Sequence, residues 1–425
     1  MLKLSRRRLS ARGIVLTTWV ASMLGPVPEA QAANPNCSSL PGTIVYGAGG
    51  SAQAPLLTQI GTQLAKISTP ISVVYSDSGS ACAGYNDLVT PTSISGTALY
   101  WDGSGSTLSC TLDPGGDPVT FAVMGNGPTL CSGVTGLAPG FGQFLGPVQP
   151  VDFVVPASSS QQSISTEAAY YIWGFDASAA NLTVTPWGTP ADVFTRSASS
   201  FVALFVGLDT GVPVATVAAH GTQESTNSAT VTALNALNGT ANAEAGIGFV
   251  SGEVADGNRS EIKVLAYQHT GQTCGYWPDS TIDAFDKVNV RSGQYWLWSP
   301  VHFYAAVNSS NQITDANTAS FIGLFTGNAT PPTGVNVFGA EVAAYTVPTC
   351  AMQAARDGDL AAPYSYAPPT PCSCEFDFAT NNANKPSTCT TCTQDSGCST
   401  NHCRNIGPPL QADAGTGNVG YCEVY

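Results

Sequence analysis

The sequence is poor in charge, and poorest in basic residues. Charged residues make up 10% of its 425 positions, against about 25% in an average soluble protein. Only 14 residues are basic and 28 are acidic, which gives a net charge of −14. Nucleic-acid binders and polybasic membrane surfaces need clustered Lys and Arg, so the composition excludes both. With 43% hydrophobic residues, the chain can build a sizeable core and is not of the disordered class.

The sequence also lacks the motifs of common enzymes and metal sites. It contains no G-x-S-x-G elbow and no H-E-x-x-H pair. Its four histidines stand apart with no metal-ligand spacing: His220, His269, His302 and His402. We therefore predict a protein that is not an enzyme and that uses no cofactor and no metal. Hydrolysis by a cleft serine is kept only as a minor hypothesis.

Residues 1–32 have the pattern of a signal peptide. Five basic residues precede a 12-residue apolar run at 13–24, and Ala30-Gln31-Ala32 is an A-x-A cleavage site. No later apolar run reaches the roughly 20 residues of a transmembrane helix. We predict export to the periplasm, cell surface or medium, by either the general or the twin-arginine route, with no direct membrane span.

Removal of this segment makes basic residues scarcer still. It takes five of the 14 basic residues and one of the 28 acids. The mature chain then keeps nine basic and 27 acidic residues, a net charge of −18. A basic residue that follows a predicted strand of the mature chain, as Arg196 does, is therefore a candidate for a specific role.

The 13 cysteines form an odd number, so pairing leaves one thiol over. Disulfides rather than zinc sites are expected in an exported chain. Eight cysteines lie from Cys350 onward, and five precede it: Cys37, Cys82, Cys110, Cys131 and Cys274. Either the later eight pair among themselves, or Cys274 pairs with Cys350 and the odd thiol lies in the tail. Cys110 and Cys131 flank a predicted strand and could close a loop.

Three strand–turn–helix junctions carry serines. Ser51 follows a predicted strand at 43–46, and Ser80 (or Ser78) follows one at 71–75. Ser200 precedes an apolar helix that begins near Phe201. A helix N-terminus has free N–H groups and partial positive charge, so it suits an anion, although serine is also a common helix cap.

Arg196 directly follows a predicted strand at 191–195 and lies just before the third junction. A guanidinium at this position can bind an oxyanion with two parallel hydrogen bonds. It can equally form a structural ion pair with a nearby acid. The sequence leaves the two interpretations open.

Four segments resemble phosphate-binding periplasmic proteins of ABC importers, in the order that the family has them. They are Tyr46–Leu57 (YGAGGSAQAPLL), Val73–Gly84 (VVYSDSGSACAG), Ala245–Glu253 (AGIGFVSGE) and Gly293–Ala305 (GQYWLWSPVHFYA). The resemblance covers roughly residues 42–306. It implies an α/β, two-lobed fold of the type 2 periplasmic-binding-protein kind, with the ligand between the lobes.

The resemblance also implies a domain plan. The first lobe would comprise residues 33–151 plus 262–345, and the second would comprise residues 152–261. A Pro-rich linker at 346–371 and a Cys-rich tail at 372–425 would follow. The tail is not part of the family's usual domain.

Carried over by position, the resemblance assigns the ligand site. Ser51 and Ala52 match the first phosphate loop, Ser80 the second, Arg196 the anion-binding arginine, and Ser200 the start of a Ser-Gly-Thr helix. Phe201-Val202 replace the Gly-Thr of that motif. Asn126 stands where the family has an aspartate that accepts a proton from phosphate. Because an amide can donate as well as accept, two alternatives stay open: a changed anion preference, or a pocket that no longer binds phosphate.

The predicted function is therefore an exported, non-catalytic solute-binding protein for phosphate or a similar oxyanion, with an ABC importer as a possible membrane partner. The alternative is a secreted or surface interaction protein that reuses the fold and recognises its partner through the tail. The degraded Ser-Gly-Thr motif and the Cys-rich tail favour this alternative.

Overall fold

The computed structural model describes residues 34–77, 80–90, 92–175, 184–380, 389–392, 394–406 and 419–424. The predicted signal peptide and Ser78 lie outside these residues. Residues 35–425 form one compact unit. Among the described residues, no helix is long and apolar enough to cross a membrane.

The strands follow the buried apolar segments of the sequence. In chain order they are β1 (Thr43–Gly49), β2 (Ile71–Ser76), β3 (Ser93–Ile94), β4 (Thr97–Tyr100), β5 (Leu108–Thr111), β6 (Asp117–Pro118), β7 (Phe121–Met124), β8 (Phe141–Pro156), β9 (Ser163–Ser165), β10 (Phe194–Arg196), β11 (Thr222–Glu224), β12 (Gly248–Ser251), β13 (Ile262–Val264), β14 (Ala266–Gln268), β15 (Trp298–Ala306), β16 (Ala354–Ala355), β17 (Tyr364–Ser365), β18 (Thr391–Cys392), β19 (Cys403–Ile406) and β20 (Val419–Cys422).

The helices are short, and several begin at a Ser, Thr, Asp or Asn cap. In chain order they are α1 (Ala54–Leu64), α2 (Ala81–Val89), α3 (Thr166–Gly174), α4 (Phe201–Thr210), α5 (Val214–Ala219), α6 (Asn227–Asn235), α7 (Gly252–Gly257), α8 (Val288–Arg291), α9 (Ala316–Thr326), α10 (Val337–Ala343) and α11 (Ser373–Thr380).

One long strand joins the two lobes. The main sheet has the order β12-β8-β15-β7-β1-β2-β4-β5, and β13 also pairs with β8. Residues 141–150 of β8 pair with β15 in the first lobe, whereas residues 151–156 pair with β12 and β13 in the second. The predicted α/β, two-lobed fold is confirmed.

Residues 262–297 pack with the second lobe rather than the first. Strand β13 pairs with the second half of β8, and β14 pairs with β9. Lys287 and Arg259 form ion pairs with Asp256 and Asp279, which tie the segment to α7. The chain therefore returns to the first lobe at Trp298, where β15 begins, some 35 residues after the boundary that the sequence suggested.

Six disulfides form in the described residues: Cys37–Cys110, Cys82–Cys131, Cys350–Cys372, Cys374–Cys389, Cys392–Cys403 and Cys398–Cys422. Of the two pairings left open, the first is found: the eight later cysteines pair among themselves, and Cys274 is the free, exposed thiol. The suggested loop between Cys110 and Cys131 is wrong, because each bonds a cysteine that precedes it on a neighbouring element.

The Pro-rich segment 346–371 is packed against the body of the protein. Arg356 donates hydrogen bonds to the carbonyl oxygens of Trp296 (2.6 Å) and Trp298 (3.2 Å), and its guanidinium lies 4.1 Å from a ring centroid of Trp298. Asp359 accepts a hydrogen bond from the backbone N–H of Gly127 at 2.8 Å. These contacts hold the segment on the lobes, so it is no free spacer.

Candidate functional site

A pocket lies where the parallel strands of both lobes end. In the first lobe, β1 pairs in parallel with β2 and β7, so their carboxyl ends share one edge of the sheet. In the second lobe, β10 and β11 are parallel and end together. The segments that follow β1, β2, β10 and β11 line the pocket. Ligands of open α/β sheets bind outside the carboxyl ends of strands.

Three helix N-termini converge on this pocket. Ser80, Ser200 and Thr226 are the caps of α2, α4 and α6, and each side chain accepts a hydrogen bond from a backbone N–H three residues on. All three caps line the pocket. Each helix directs free N–H groups and partial positive charge toward its start, so the pocket suits an anion.

Two glycines allow α2 to reach the pocket edge. A Cβ at Gly84 would lie 2.4 Å from the Cα of Gly49, and one at Gly49 would lie 2.2 Å from the carbonyl oxygen of Val123. Larger residues at either position would push α2 or β7 away from β1. This close approach sets the N-terminus of α2 beside the end of β1.

Among the described residues that line the pocket, Arg196 is the only Lys or Arg. It is buried, with 6% of its surface exposed. One Nη1–H donates to the backbone carbonyl of Glu224 at 3.3 Å, and Nε has no partner. No carboxylate oxygen in the described part of the chain lies within 4.0 Å of its guanidinium. Burial therefore lowers its pKa to about 10, although the charge of Glu224 acts in the opposite direction.

Asp77 follows β2 and is the one acid among the lining residues that the structure describes. Burial raises the pKa of its carboxyl above the usual range. It adds a hydrogen-bond acceptor to a pocket that otherwise presents mainly donors. An acceptor of this kind contacts an anion favourably only where the anion itself carries a proton.

Gln53 forms the floor of the pocket on the first lobe. In the amide orientation that satisfies its neighbours, Nε2 donates to the carbonyl oxygen of Gly50 (3.2 Å). Oε1 then accepts from the N–H of Gly125 (3.3 Å) and from Nε2 of Gln149 (2.9 Å). Tyr75 also donates to the carbonyl oxygen of Gly50, at 2.7 Å. These bonds fix the turn that precedes Ser51.

The structure brings most of the predicted site residues together. Ser51, Ala52, Ser80, Arg196 and Ser200 all line the pocket, although their separations in sequence reach about 150 residues. Of the two interpretations of Arg196, the structural ion pair is not found within the described residues. That these five residues contact a ligand remains a prediction.

Asn126 is not among the lining residues. It is fully buried, and its Nδ2 donates to the carbonyl oxygen of Gly127 at 2.8 Å. Phe201 explains the separation, because its ring packs where a Cβ on Gly125 would point, 2.6 Å away. The bulky residue at the start of α4 thus stands between Gly125 and the pocket.

Sequence reasoning missed Asp77, Gln53 and the segment Ser225–Asn227. Asp77 lies in the segment Val73–Gly84, between the end of a predicted strand and the cap at Ser80. This position between strand and helix could have marked it as a pocket residue. Thr226 precedes a helix without an apolar pattern strong enough to mark it. Its place at the pocket follows from the parallel pairing of β10 with β11, which no local pattern reveals.

No protein-family model and no curated protein sequence matches the chain. Solved structures do match. A protein from Clostridium perfringens, assigned as a phosphate ABC transporter substrate-binding protein and solved with bound phosphate, has a TM-score of 0.48 at 11% identity, with 72% of this chain and 100% of that chain covered. An ABC-type phosphate transport receptor from Vibrio cholerae has a TM-score of 0.44 at 14% identity, with 71% and 99% covered.

A high-affinity periplasmic phosphate-binding protein, PfluDING, solved with phosphate, has a TM-score of 0.45 at 13% identity, covering 72% of this chain and 90% of that chain. The chain is thus similar to phosphate-binding periplasmic proteins. All three TM-scores lie below 0.5, so these similarities do not identify the ligand of this chain.

Proposed function

We propose that the protein binds a small oxyanion, with phosphate as the leading candidate, in the pocket between its lobes. The observation that carries the proposal is Arg196, a buried guanidinium with an unpartnered Nε and no carboxylate within reach in the described chain. A buried charge without a partner costs several kcal/mol, an estimate of order only. An anion bound beside Arg196 supplies the missing partner.

The size of the pocket supports a small ligand. Its cavity volume is about 60 Å³. Since one water needs about 10–15 Å³ on this measure, the space fits roughly four to six non-hydrogen atoms. A tetrahedral oxyanion has five. The three helix starts and the Ser51 turn supply hydrogen-bond donors on several sides.

The proposal includes no catalysis. None of the four histidines lines the pocket, and a serine nucleophile needs an adjacent base. His302 lies in the core, hydrogen-bonded to Gln143 (2.9 Å) and Ser299 (3.2 Å). Burial lowers its pKa to about 4.

We also propose export, and an ABC importer as a partner. Six disulfides are typical of a chain that folds in an oxidising compartment. An ABC importer complex in the membrane would receive the bound ligand from the protein. Co-purification with importer subunits from the native cell would support this part of the proposal.

Calorimetric titration tests the ligand. The wild-type protein, freed of bound ions, is titrated with phosphate, arsenate and sulfate. Arg196→Ala should lose at least tenfold in affinity, because one charge-assisted bond contributes about 1.5–3 kcal/mol. Arg404→Ala is the matched control, since Arg404 lies in the tail and donates to the carbonyl oxygens of Thr370 and Pro371. Absence of heat with all three anions would reject the proposal.

Partner recognition by the tail is the second candidate. One observation favours it: no described residue beyond 380 belongs to the hydrophobic clusters of the lobes, so the small sheet of β18, β20 and β19 does not complete their core. A chain that ends after Cys389 should then keep its anion affinity and lose surface retention. Retention by the shortened chain would count against this candidate.

A further inference from the structure

A hairpin at residues 350–372 contacts both lobes. Strands β16 and β17 pair within it, and the disulfide Cys350–Cys372 closes its base. Residues 356–363 form its tip. A two-stranded hairpin has little stability of its own, so the contacts that it makes with the lobes determine where it lies.

The stem of the hairpin is fixed to the second lobe. The backbone N–H of Gln353 donates to the carbonyl oxygen of Arg291 at 2.9 Å, and Nε of Arg291 donates to the carbonyl oxygen of Ala351 at 3.0 Å. Gly293 has a φ of 76°, and a Cβ at this position would lie 2.9 Å from the Cβ of Ala354. Arg291 and Gly293 both belong to the segment before β15, which packs with the second lobe.

The tip of the hairpin is fixed to the first lobe. Asp359 accepts a hydrogen bond from the N–H of Gly127, which follows β7, at 2.8 Å. Arg356 spans the junction, because it donates to the carbonyl oxygen of Trp296 on the second lobe and to that of Trp298 at the start of β15. The lobes therefore cannot separate unless the hairpin releases one of them.

The loop that the tip contacts also reaches the pocket. Gly125 precedes Gly127 by two residues, and its N–H lies 3.3 Å from the side-chain amide of Gln53 at the pocket floor. The ring of Phe201, from the second lobe, would lie 2.6 Å from a Cβ on Gly125. Separation of the lobes would withdraw this ring, which is 3% exposed, into water at a hydrophobic cost. Phe201 and the hairpin thus favour the same closed arrangement.

We propose that the hairpin 350–372 is a clasp that holds the two lobes together around the pocket, with or without a bound anion. The anion then enters and leaves through a minor open form, whose population is set by release of the clasp. Slow exchange of the anion rests on the proposed binding function, whereas the restraint on the lobes does not.

Exchange kinetics of radiolabelled inorganic phosphate on the full mature chain provide the first test. Asp359→Ala removes the charge-assisted bond to Gly127, so the open form should be populated about tenfold more. Association and dissociation rates should both rise about tenfold with Kd nearly unchanged, because the clasp makes the same contacts in the free and the bound protein. Asp357→Ala, which removes an exposed carboxyl from the same tip, should change neither rate.

Two kinetic results would overturn the clasp. A faster dissociation with an unchanged association rate, and so a weaker Kd, would show that the lobes of the empty protein are already apart. Rates that Asp359→Ala leaves at the wild-type value would show that its bond to Gly127 restrains nothing.

The distance between the lobes provides a test that needs no anion. Fluorescent labels are placed on Ser309→Cys in the first lobe and Leu208→Cys in the second, both exposed positions. Cys274→Ser removes the free thiol from this chain. Single-molecule energy transfer in anion-free buffer should show one short distance, and Arg356→Met combined with Asp359→Ala should add a longer one. A longer distance that predominates while the clasp is intact would contradict the proposal.

The outcomes separate the two levels. If wild type binds no anion, the proposed function fails, and the label distances still decide whether the clasp exists. If wild type binds phosphate but neither rates nor distances respond to loss of the Asp359 carboxylate, only the clasp is wrong. Where Asp359→Ala does not fold, Asp359→Asn keeps an acceptor without charge and should raise both rates by a smaller factor, and the label distance with the intact clasp still decides.

Discussion

The second lobe buries positive charge in two different ways. In one cluster, Lys287 lies 2.5 Å from Asp256 and 2.8 Å from Asp279, and Arg259 lies 2.7 Å from Asp279. In the pocket, Arg196 has no carboxylate partner within the described part of the chain. Burial disfavours the charge of each of these three side chains. For Lys287 and Arg259 the neighbouring aspartates outweigh burial and raise the pKa, whereas the pKa of Arg196 is lowered to about 10.

The difference separates structure from function. A buried cation that is fully paired holds two segments together, and here it ties residues 279–287 to α7. A buried cation left unpaired lowers stability unless something binds to it. The comparison therefore assigns the Lys287 cluster to the fold and Arg196 to a ligand.

Removal of Lys287 should have the largest effect. Lys287→Met leaves Asp256 and Asp279 with Arg259 as their one cation among the described residues. Breaking a buried pair in this way costs about 3–5 kcal/mol. Denaturant unfolding measures the loss. A decrease in the free energy of unfolding of less than about 1 kcal/mol would mean that the ion pairs of Lys287 stabilise the fold little. The proposed difference between Lys287 and Arg196 would then be wrong.

A buried acid gives a smaller, pH-dependent effect. Glu341 on α10 is buried, and burial raises its pKa to about 8 from an ordinary 4.5. Its folded pKa lies above the unfolded value, so its contribution to stability is complete below pH 4.5 and is lost as pH rises through about 8. Between acidic and neutral pH, wild type should lose about 2 kcal/mol of its free energy of unfolding relative to Glu341→Gln. This loss is smaller than the raised pKa alone would give, because local relaxation admits water.

Parallel unfolding curves for wild type and Glu341→Gln across that pH range provide the check. A difference between them that stays constant, or that grows in favour of wild type as pH rises, would show that the carboxyl has a cation or a donor as partner. The buried acid would then resemble Lys287 rather than Arg196.

Neutralisation of Arg196 should have the smallest effect on the free protein. Arg196→Met keeps the aliphatic stem and removes an uncompensated charge, so the anion-free stability should change by less than about 1 kcal/mol, or rise. Stabilisation by added phosphate should disappear, since only the folded state binds the ligand. Thermal unfolding with and without phosphate measures both. A loss of several kcal/mol in the free energy of unfolding in anion-free buffer would show that Arg196, like Lys287, stabilises the fold.

The sequence predicted those parts of the site that lie where a strand turns into a helix. Ser51, Ser80 and Ser200 each follow a strand and precede an apolar helix, and Arg196 stood out because basic residues are scarce. The joining of the three junctions could not be derived locally. It depends on the parallel pairing of β1 with β2 and of β10 with β11, and on the long β8 that connects the lobes.

Other features were hidden for physical reasons. Asn126 was expected at the ligand, but Phe201 fills the space between Gly125 and the pocket, an effect of side-chain packing. The return of the chain to the first lobe lies at Trp298 because the ion pairs of Lys287 and Arg259 hold residues 262–297 on the second lobe. The prolines of 346–371 suggested a spacer, yet Arg356 and Asp359 fix the segment to the lobes.

The most direct test of the central claim is a crystal structure of the full mature chain grown with phosphate. The account predicts one anion in the pocket, with the guanidinium of Arg196 and the N-terminal N–H groups of α2, α4 or α6 within hydrogen-bond distance. A pocket that stays free of phosphate at saturating concentration, or a guanidinium of Arg196 that turns to a carboxylate of the chain, would contradict it.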